Sequence, residues 1–163
     1  GDTTNVIGTL QNDGAAVANT PAFEARRTDN QTLSDSSWTK VQFPSEIFDT
    51  NSAYDASTNF RFTVPSGEAG KYFIYSNLRF GSSSTNDVGE VYTAIYKNGS
   101  SFLYGVSSTY NAHDLHEFTQ PYSATLDLSA SDYIEIFGFI DVSGGTPQIR
   151  ANSNFGAYRL IGV

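Results

Sequence analysis

The segment His113-Asp114-Leu115-His116-Glu117 sets both histidines of the chain beside two carboxylates. Imidazole and carboxylate together suit Zn2+ or Ni2+. On a strand, however, side chains three residues apart point to opposite faces. A metal site would therefore need a turn here, or donors from another copy of the chain. We read the segment as a solvent-exposed loop or strand edge. A metal site and a protonation-sensitive contact between copies are the alternatives. Asp87, Glu90 and Asp141 fall in or near loops, where carboxylate oxygens could bind Ca2+, although no EF-hand spacing is present. No other cofactor is expected. The candidate ligand-binding residues are thus Asp87, Glu90, His113, Asp114, His116 and Asp141, carried by loops 81–90, 107–121 and 141–154.

Hydrolytic machinery is missing from the sequence. There is no Gly-x-Ser-x-Gly elbow, no His-Glu-x-x-His and no phosphate loop. Carboxylate pairs for glycoside hydrolysis can lie far apart in a chain, so spacing alone does not address them. The expectation is a protein that is not an enzyme. Asn30-Gln31-Thr32 and Asn98-Gly99-Ser100 match glycosylation sequons, and we read both as turn chemistry. The lone tryptophan, Trp38, reads as a partly buried packing residue, a sugar-stacking platform being the alternative.

The elements that must position these residues are constrained by composition. The 163 residues fit one domain, long enough to bury a core without staples. There is no cysteine, which removes disulfides and thiolate metal sites. Nine basic against 17 acidic residues give a net charge of −8. That balance argues against nucleic acid, which needs a basic footprint. No apolar run approaches the ~20 residues of a membrane span, so no membrane insertion is expected. The absence of Met suggests a piece of a longer or processed product. With 12 Phe and 10 Tyr among many Ser, Thr, Asn and Gly, the composition fits an all-β scaffold.

Helical periodicity is absent along the chain. Residues 1–20 read as a lead-in or linker with one short strand, and the domain spans 21–163. In Pro21–Arg27, Phe23 and Ala25 alternate with Ala22, Glu24 and Arg26; residues 28–37 read as a polar loop. Val41 and Phe43 mark a second strand, followed by a polar stretch ending at Tyr54-Asp55. Phe60–Pro65 alternates cleanly. On the next strand Tyr72, Ile74, Ser76, Leu78 and Phe80 share one face, and Phe73, Tyr75, Asn77 and Arg79 the other. Lys97-Asn98-Gly99-Ser100 is a hairpin signal, because both central positions of such a turn take positive φ. Ala124–Leu128 alternates after a polar stretch at 107–121. Tyr133–Ile140 is apolar on nearly both faces and reads as a central, doubly covered strand. Phe155–Val163 closes the chain. Eight to ten short strands suggest a sandwich or jelly roll.

The order of these elements resembles the globular C1q domain of the C1q/tumour necrosis factor superfamily, from about Pro21 to the C-terminus. Ala22-Phe23-Glu24-Ala25 is similar to that family's opening strand, and Val41 and Phe43 to its second. Tyr54-Asp55, Phe60–Pro65 and Gly70-Lys71-Tyr72-Phe73-Ile74 resemble its central signature. Lys97-Asn98-Gly99 resembles its hairpin, Leu126-Asp127-Leu128 with Asp132 and Ile134 its Leu-x-Leu element, and Phe155–Ile161 its closing strand. Three places depart from the pattern. Asn59 stands where Gly is expected before Phe60, and Asn tolerates a left-handed conformation there. Ser131 replaces the Gly of Gly-Asp, and Ser66-Gly67-Glu68-Ala69 looks inserted. A distant microbial or viral member fits these departures.

The resemblance implies a two-sheet antiparallel jelly roll that forms a homotrimer. Aromatics beyond what one sandwich core needs agree with that, since a surplus apolar face is normally an interface. Phe73, Tyr75, Phe137 and Tyr158 are expected in the core or the trimer interface. The expected role is a non-enzymatic recognition or structural module of a virion, such as a phage tail-fibre tip, appendage or capsid decoration. It would bind a host-surface glycan or protein multivalently. A secreted C1q-like lectin or signalling ligand is the alternative, and either setting is virion or extracellular.

Overall fold

The computed structural model describes residues 11–12, 15–16, 18–84, 87–108 and 115–161. Fifteen strands are placed among them: β1 (Gln11–Asn12), β2 (Ala15–Ala16), β3 (Ala22–Arg26), β4 (Gln31–Thr32), β5 (Thr39–Lys40), β6 (Ser45–Asp49), β7 (Tyr54–Asp55) and β8 (Arg61–Thr63) come first. The longer ones follow: β9 (Gly70–Ser82), β10 (Val88–Lys97), β11 (Ser100–Ser108), β12 (Glu117–Leu128), β13 (Tyr133–Val142), β14 (Pro147–Ile149) and β15 (Asn154–Arg159). No described residue is helical, so no helix is long and apolar enough to cross a membrane.

Two antiparallel sheets face each other. One runs β11-β10-β13-β8-β7, with β5 also on β13; the other runs β4-β14-β9-β15-β3-β6, with β12 on the free side of β9. A small ladder, β1 with β2, lies in the lead-in; Val6, Ile7 and Leu10 fall outside the described residues. The pattern on β9 shows why the layers meet. Tyr72, Ile74, Leu78 and Phe80 are fully buried between the sheets, while Phe73, Tyr75 and Arg79 point away from them. Phe23 is the hub of the core: its ring stacks on Tyr54 at 4.7 Å and on Phe62 at 5.1 Å, and meets Phe155 edge-on at 4.9 Å. Thr93 on β10 donates to Gln120 on β12 at 2.7 Å, a buried polar tie between the sheets.

The Asn98-Gly99 hairpin forms with φ of 52° and 78°, joining β10 to β11. Elsewhere the sequence-based expectations need correction. Val41 and Phe43 are fully buried but lie outside any strand; the strands there are β5 and β6. The polar loop at 28–37 contains β4, which pairs β14, and the buried Leu33. β12 begins at Glu117 rather than Ala124, with Pro121 inside it. That proline is tolerated because β12 pairs β9 on one side only, and an edge residue can do without its N–H. Asn59 does not carry the left-handed turn; Phe60 does, at φ 50°. Asn59 instead donates its backbone N–H and side-chain amide to Asp55, whose carboxylate also accepts from the N–H groups of Ser57 and Thr58. Ser131 is left-handed at φ 72°, in place of the expected Gly. β13 is central in its sheet, yet among the described residues its outer face is covered by aromatic rings rather than by a further layer.

Candidate functional site

Three surfaces of the sandwich carry residues able to recognise something. The first is one end, where the loops before β10, before β12 and after β13 gather. Leu115 bridges Val88 there, Ser83 and Thr146 exchange hydrogen bonds, and Ser143 donates its backbone N–H to the Asp87 carbonyl. The Ser143 hydroxyl reaches the Asp87 carboxylate at 3.2 Å. His116 Nδ1 lies 2.9 Å from the Ser84 carbonyl. Glu90 and Asp141 are cross-strand neighbours on β10 and β13, and Asp141 accepts from the Ser36 hydroxyl at 2.8 Å. The structure therefore brings Asp87, Glu90, His116 and Asp141 to one end. His113 and Asp114 lie outside the described residues. Among the described residues no three of His, Cys, Asp and Glu come together to hold a metal ion. Glu117 is engaged by two arginines, Arg79 at 2.9 Å and Arg150 at 3.3 Å, an ion-paired structural arrangement.

The second surface is the outward face of β9, β15 and β12. Phe73, Tyr75 and Tyr158 meet here: the Phe73 ring lies 6.1 Å from Tyr75 and 5.5 Å from Tyr158. Tyr75 reaches across Gly156 to donate to Glu24 at 3.1 Å, and the other Glu24 oxygen accepts from Asn154. Burial first, then the Glu24 charge, pushes the Tyr75 hydroxyl well above the usual phenol range, so it stays a donor. An open groove of about 610 Å3 runs beside these rings, lined by Phe73, Tyr75, Asn77, Pro121, Tyr122 and Asn154. Asn77 Oδ1 is buried without a hydrogen-bond partner in the chain. Phe137 is not part of this group. It sits on the outer face of the other sheet, stacked on Tyr96 at 3.8 Å.

The third surface was hidden from sequence reading. Trp38 is 38% exposed and lies outside the core, against Tyr92, Tyr96, Tyr104 and Phe139, at centroid distances of 5.7, 6.3, 6.2 and 5.8 Å. It is exposed rather than part of the core, with four rings packed beside it. Strand alternation on β10 and β13 could have placed Tyr92, Tyr96, Phe137 and Phe139 on one outer face. Nothing in the spacing attached Trp38 or Tyr104 to them. Beside this cluster, β11 is an edge strand of nine residues without charge, carrying exposed Phe102, Leu103, Tyr104 and Val106.

No protein-family model and no curated protein matches the sequence. Solved structures match the fold. The globular domain of zebrafish complement 1qA superposes with a TM-score of 0.62 at 17% identity, over 86% of this chain and 98% of that one. The Eiger TNF of S. frugiperda gives 0.60 at 12% identity, over 87% and 93%. Murine APRIL at pH 5.0 gives 0.60 at 12% identity, over 85% and 98%. The fold is thus a C1q/tumour-necrosis-factor-like jelly roll, as the sequence resemblance implied.

Proposed function

We propose that the chain is a non-enzymatic, homotrimeric recognition module that works outside the cell. One observation carries the assembly: the Phe73, Tyr75 and Tyr158 face lies outside a core that is already complete without it. These rings are half-buried within the chain, and a contiguous apolar face of this kind outside the core is normally covered by a partner. The groove beside it and the unpaired Asn77 oxygen supply room and an acceptor for that partner. A second, different surface, the β11 edge with exposed Phe102 and Leu103, has no neighbouring strand among the described residues. Two unlike sticky surfaces on one chain favour a head-to-tail contact, which closes as a ring when the rotation allows. Covering β11 this way would also protect an uncharged edge strand from uncontrolled pairing.

In this assembly the three loops at the end of the sandwich are repeated three times around one axis. Weak contacts from Asp87, Glu90, His116 and Asp141 would then act together on a repetitive surface ligand, gaining avidity. A virion appendage or tail-fibre tip facing a host-surface glycan or protein fits the acidic, cysteine-free, Ser/Thr/Asn-rich chain. A secreted C1q-like lectin or signalling ligand is the second reading, equally compatible with the shared fold. Size-exclusion chromatography with light scattering tests the assembly: three times the 17.7 kDa of one chain is expected, and a monomer would overturn it. Binding to intact host cells, lost when the Asp87, Glu90 and Asp141 loops are altered together, separates the first setting from the second.

A further inference from the structure

The outer face of the β10-β11-β13 sheet holds a cup on the side of the sandwich away from the Phe73, Tyr75 and Tyr158 face, bordering the β11 edge and reaching the loop end at Glu90. Its lining is Trp38, Tyr92, Tyr104, Phe139 and Ser101, around an open cavity of about 310 Å3. The rings stand as walls rather than a flat stack. Trp38 is inclined 62° to Tyr92 and 67° to Tyr104, and Tyr92 is inclined 84° to Phe139 at 5.0 Å. A wall of this kind can turn the electron-rich face of a ring toward whatever occupies the space. The polar side-chain groups among the described lining residues are the tyrosine and serine hydroxyls and the Trp38 indole N–H, and none of these residues is cationic.

Charge around the cup points one way. Glu90 stands two residues before Tyr92 on the same face of β10, and its carboxylate raises the Tyr92 hydroxyl above the usual phenol range. Asp141 lies across from Glu90 on β13, and the chain carries a net charge of −8. Cations of the protein are engaged elsewhere: Lys40 with Glu135, Lys97 with Asp132, and Arg61 over the Tyr133 ring at 4.2 Å. An anionic ligand would meet carboxylates and ring faces, both repulsive to it. An organic cation would meet attraction from both.

We propose that this cup binds a small soluble organic cation bearing a quaternary ammonium group, held by the faces of Trp38, Tyr92, Tyr104 and Phe139 with Glu90 at the rim. The quaternary group is favoured over a primary ammonium because it holds water weakly and needs no hydrogen-bond acceptor set. The cup has few acceptors to replace that water, whereas a compact ammonium is strongly hydrated. A cation without an attached phosphate is favoured because Glu90 and the acidic surface repel the anion. The site is on the sheet opposite the Phe73, Tyr75 and Tyr158 face but borders the β11 edge through Ser101 and Tyr104, so choline is also titrated into a Phe73→Arg, Tyr158→Arg variant, which separates its test from the trimer.

The single tryptophan makes the site directly readable, since all indole emission comes from Trp38. Choline is titrated into the folded chain while that emission is followed, with calorimetry as a second readout. The neutral isostere 3,3-dimethylbutan-1-ol, phosphocholine and methyl glucoside are titrated in parallel. Choline is expected to give a saturable change, and the three comparison ligands at least several-fold weaker binding. Tyr104→Ala, at a side chain 59% exposed and so safe for folding, is expected to weaken choline about threefold, as is Glu90→Gln. Equal binding of the neutral isostere would overturn the proposal in favour of a merely apolar cavity. Preference for methyl glucoside or phosphocholine would overturn it in favour of those ligands. No binding of choline, or binding unchanged in Tyr104→Ala, would also overturn it.

Discussion

Gly156 lies directly beneath the ring of Tyr75. A side-chain carbon at position 156 would stand 2.4 Å from the Tyr75 Cζ and hydroxyl, and 2.9 Å from the Phe23 carbonyl. Tyr75, Gly156 and Glu24 form one cross-strand row on β9, β15 and β3. The missing side chain in the middle lets the tyrosine lie over its neighbour and reach the carboxylate beyond. Gly156→Ala should therefore displace Tyr75, break the bond to Glu24 and destabilise the chain by about 1–3 kcal/mol, as overpacking does. Thermal melting checks the stability and light scattering the assembly; unchanged values for both would show that the row is not needed.

Glu135 sits on β13 with its side chain 6% exposed, ion-paired to Lys40 on the adjoining β5. Removing Lys40 leaves a buried carboxylate without its partner. Lys40→Ala is expected to cost about 3 kcal/mol, the low end for a broken buried pair, because Lys40 keeps part of its side chain in water. In a urea titration the midpoint should fall with an unchanged slope. Restoring stability with the double variant Lys40→Met, Glu135→Leu would confirm that the unpaired charge is the cause.

Much of the scaffold could be read from residue order, and the reasons divide by physics. β9 was legible because its inner face is apolar apart from Ser76 and its outer face differs from it. The β10–β11 hairpin was legible because Asn-Gly matches a turn with two positive φ values. β6 was not, because Ile47 and Phe48 are both exposed and no inward alternation marks the strand. The first half of β12 was hidden for the opposite reason: polar Glu117, Thr119 and Gln120 look like loop until Gln120 is seen inside, bound to Thr93. The loop end was partly legible, since Asp87, Glu90, His116 and Asp141 do gather there. The Trp38 cup was not, because its walls come from four separate segments joined only by sheet pairing.

Ser131 holds φ at 72° where glycine would be at ease, and its backbone N–H donates to Val64 at 2.9 Å. A left-handed L-residue costs ~1–2 kcal/mol, partly offset by the greater freedom that glycine loses on folding. Ser131→Gly should stabilise the chain by about 0.5 kcal/mol. Chemical denaturation resolves that sign, and a loss of stability would mean that the Ser131 side chain contributes something the turn geometry does not show.

Stability should fall at both extremes of pH. Asp132 accepts from Asn98 and from the Ser129 N–H and pairs with Lys97, which holds its carboxyl at about 2. Asp55, bound by the N–H groups of Thr58 and Ser57, is likewise held well below the usual carboxylate range. Both contribute stability that is complete above the unfolded value of about 4 and lost as pH falls toward 2. Burial raises Tyr72 to about 12 and Tyr54 further. Those groups contribute stability that is complete below about pH 10 and lost as pH rises through 12. Asp132→Asn should flatten part of the acid limb. A melting temperature that does not change between pH 5 and 2 would contradict the assignment.

Sedimentation equilibrium of the chain beside a Phe73→Arg, Tyr158→Arg variant tests most directly whether the outward aromatic face joins copies. The expected result is a trimer for the parent and a folded monomer for the variant, since both substituted rings lie outside the core. A monomeric parent, or a variant that remains trimeric, would contradict the proposal that this face is the subunit interface.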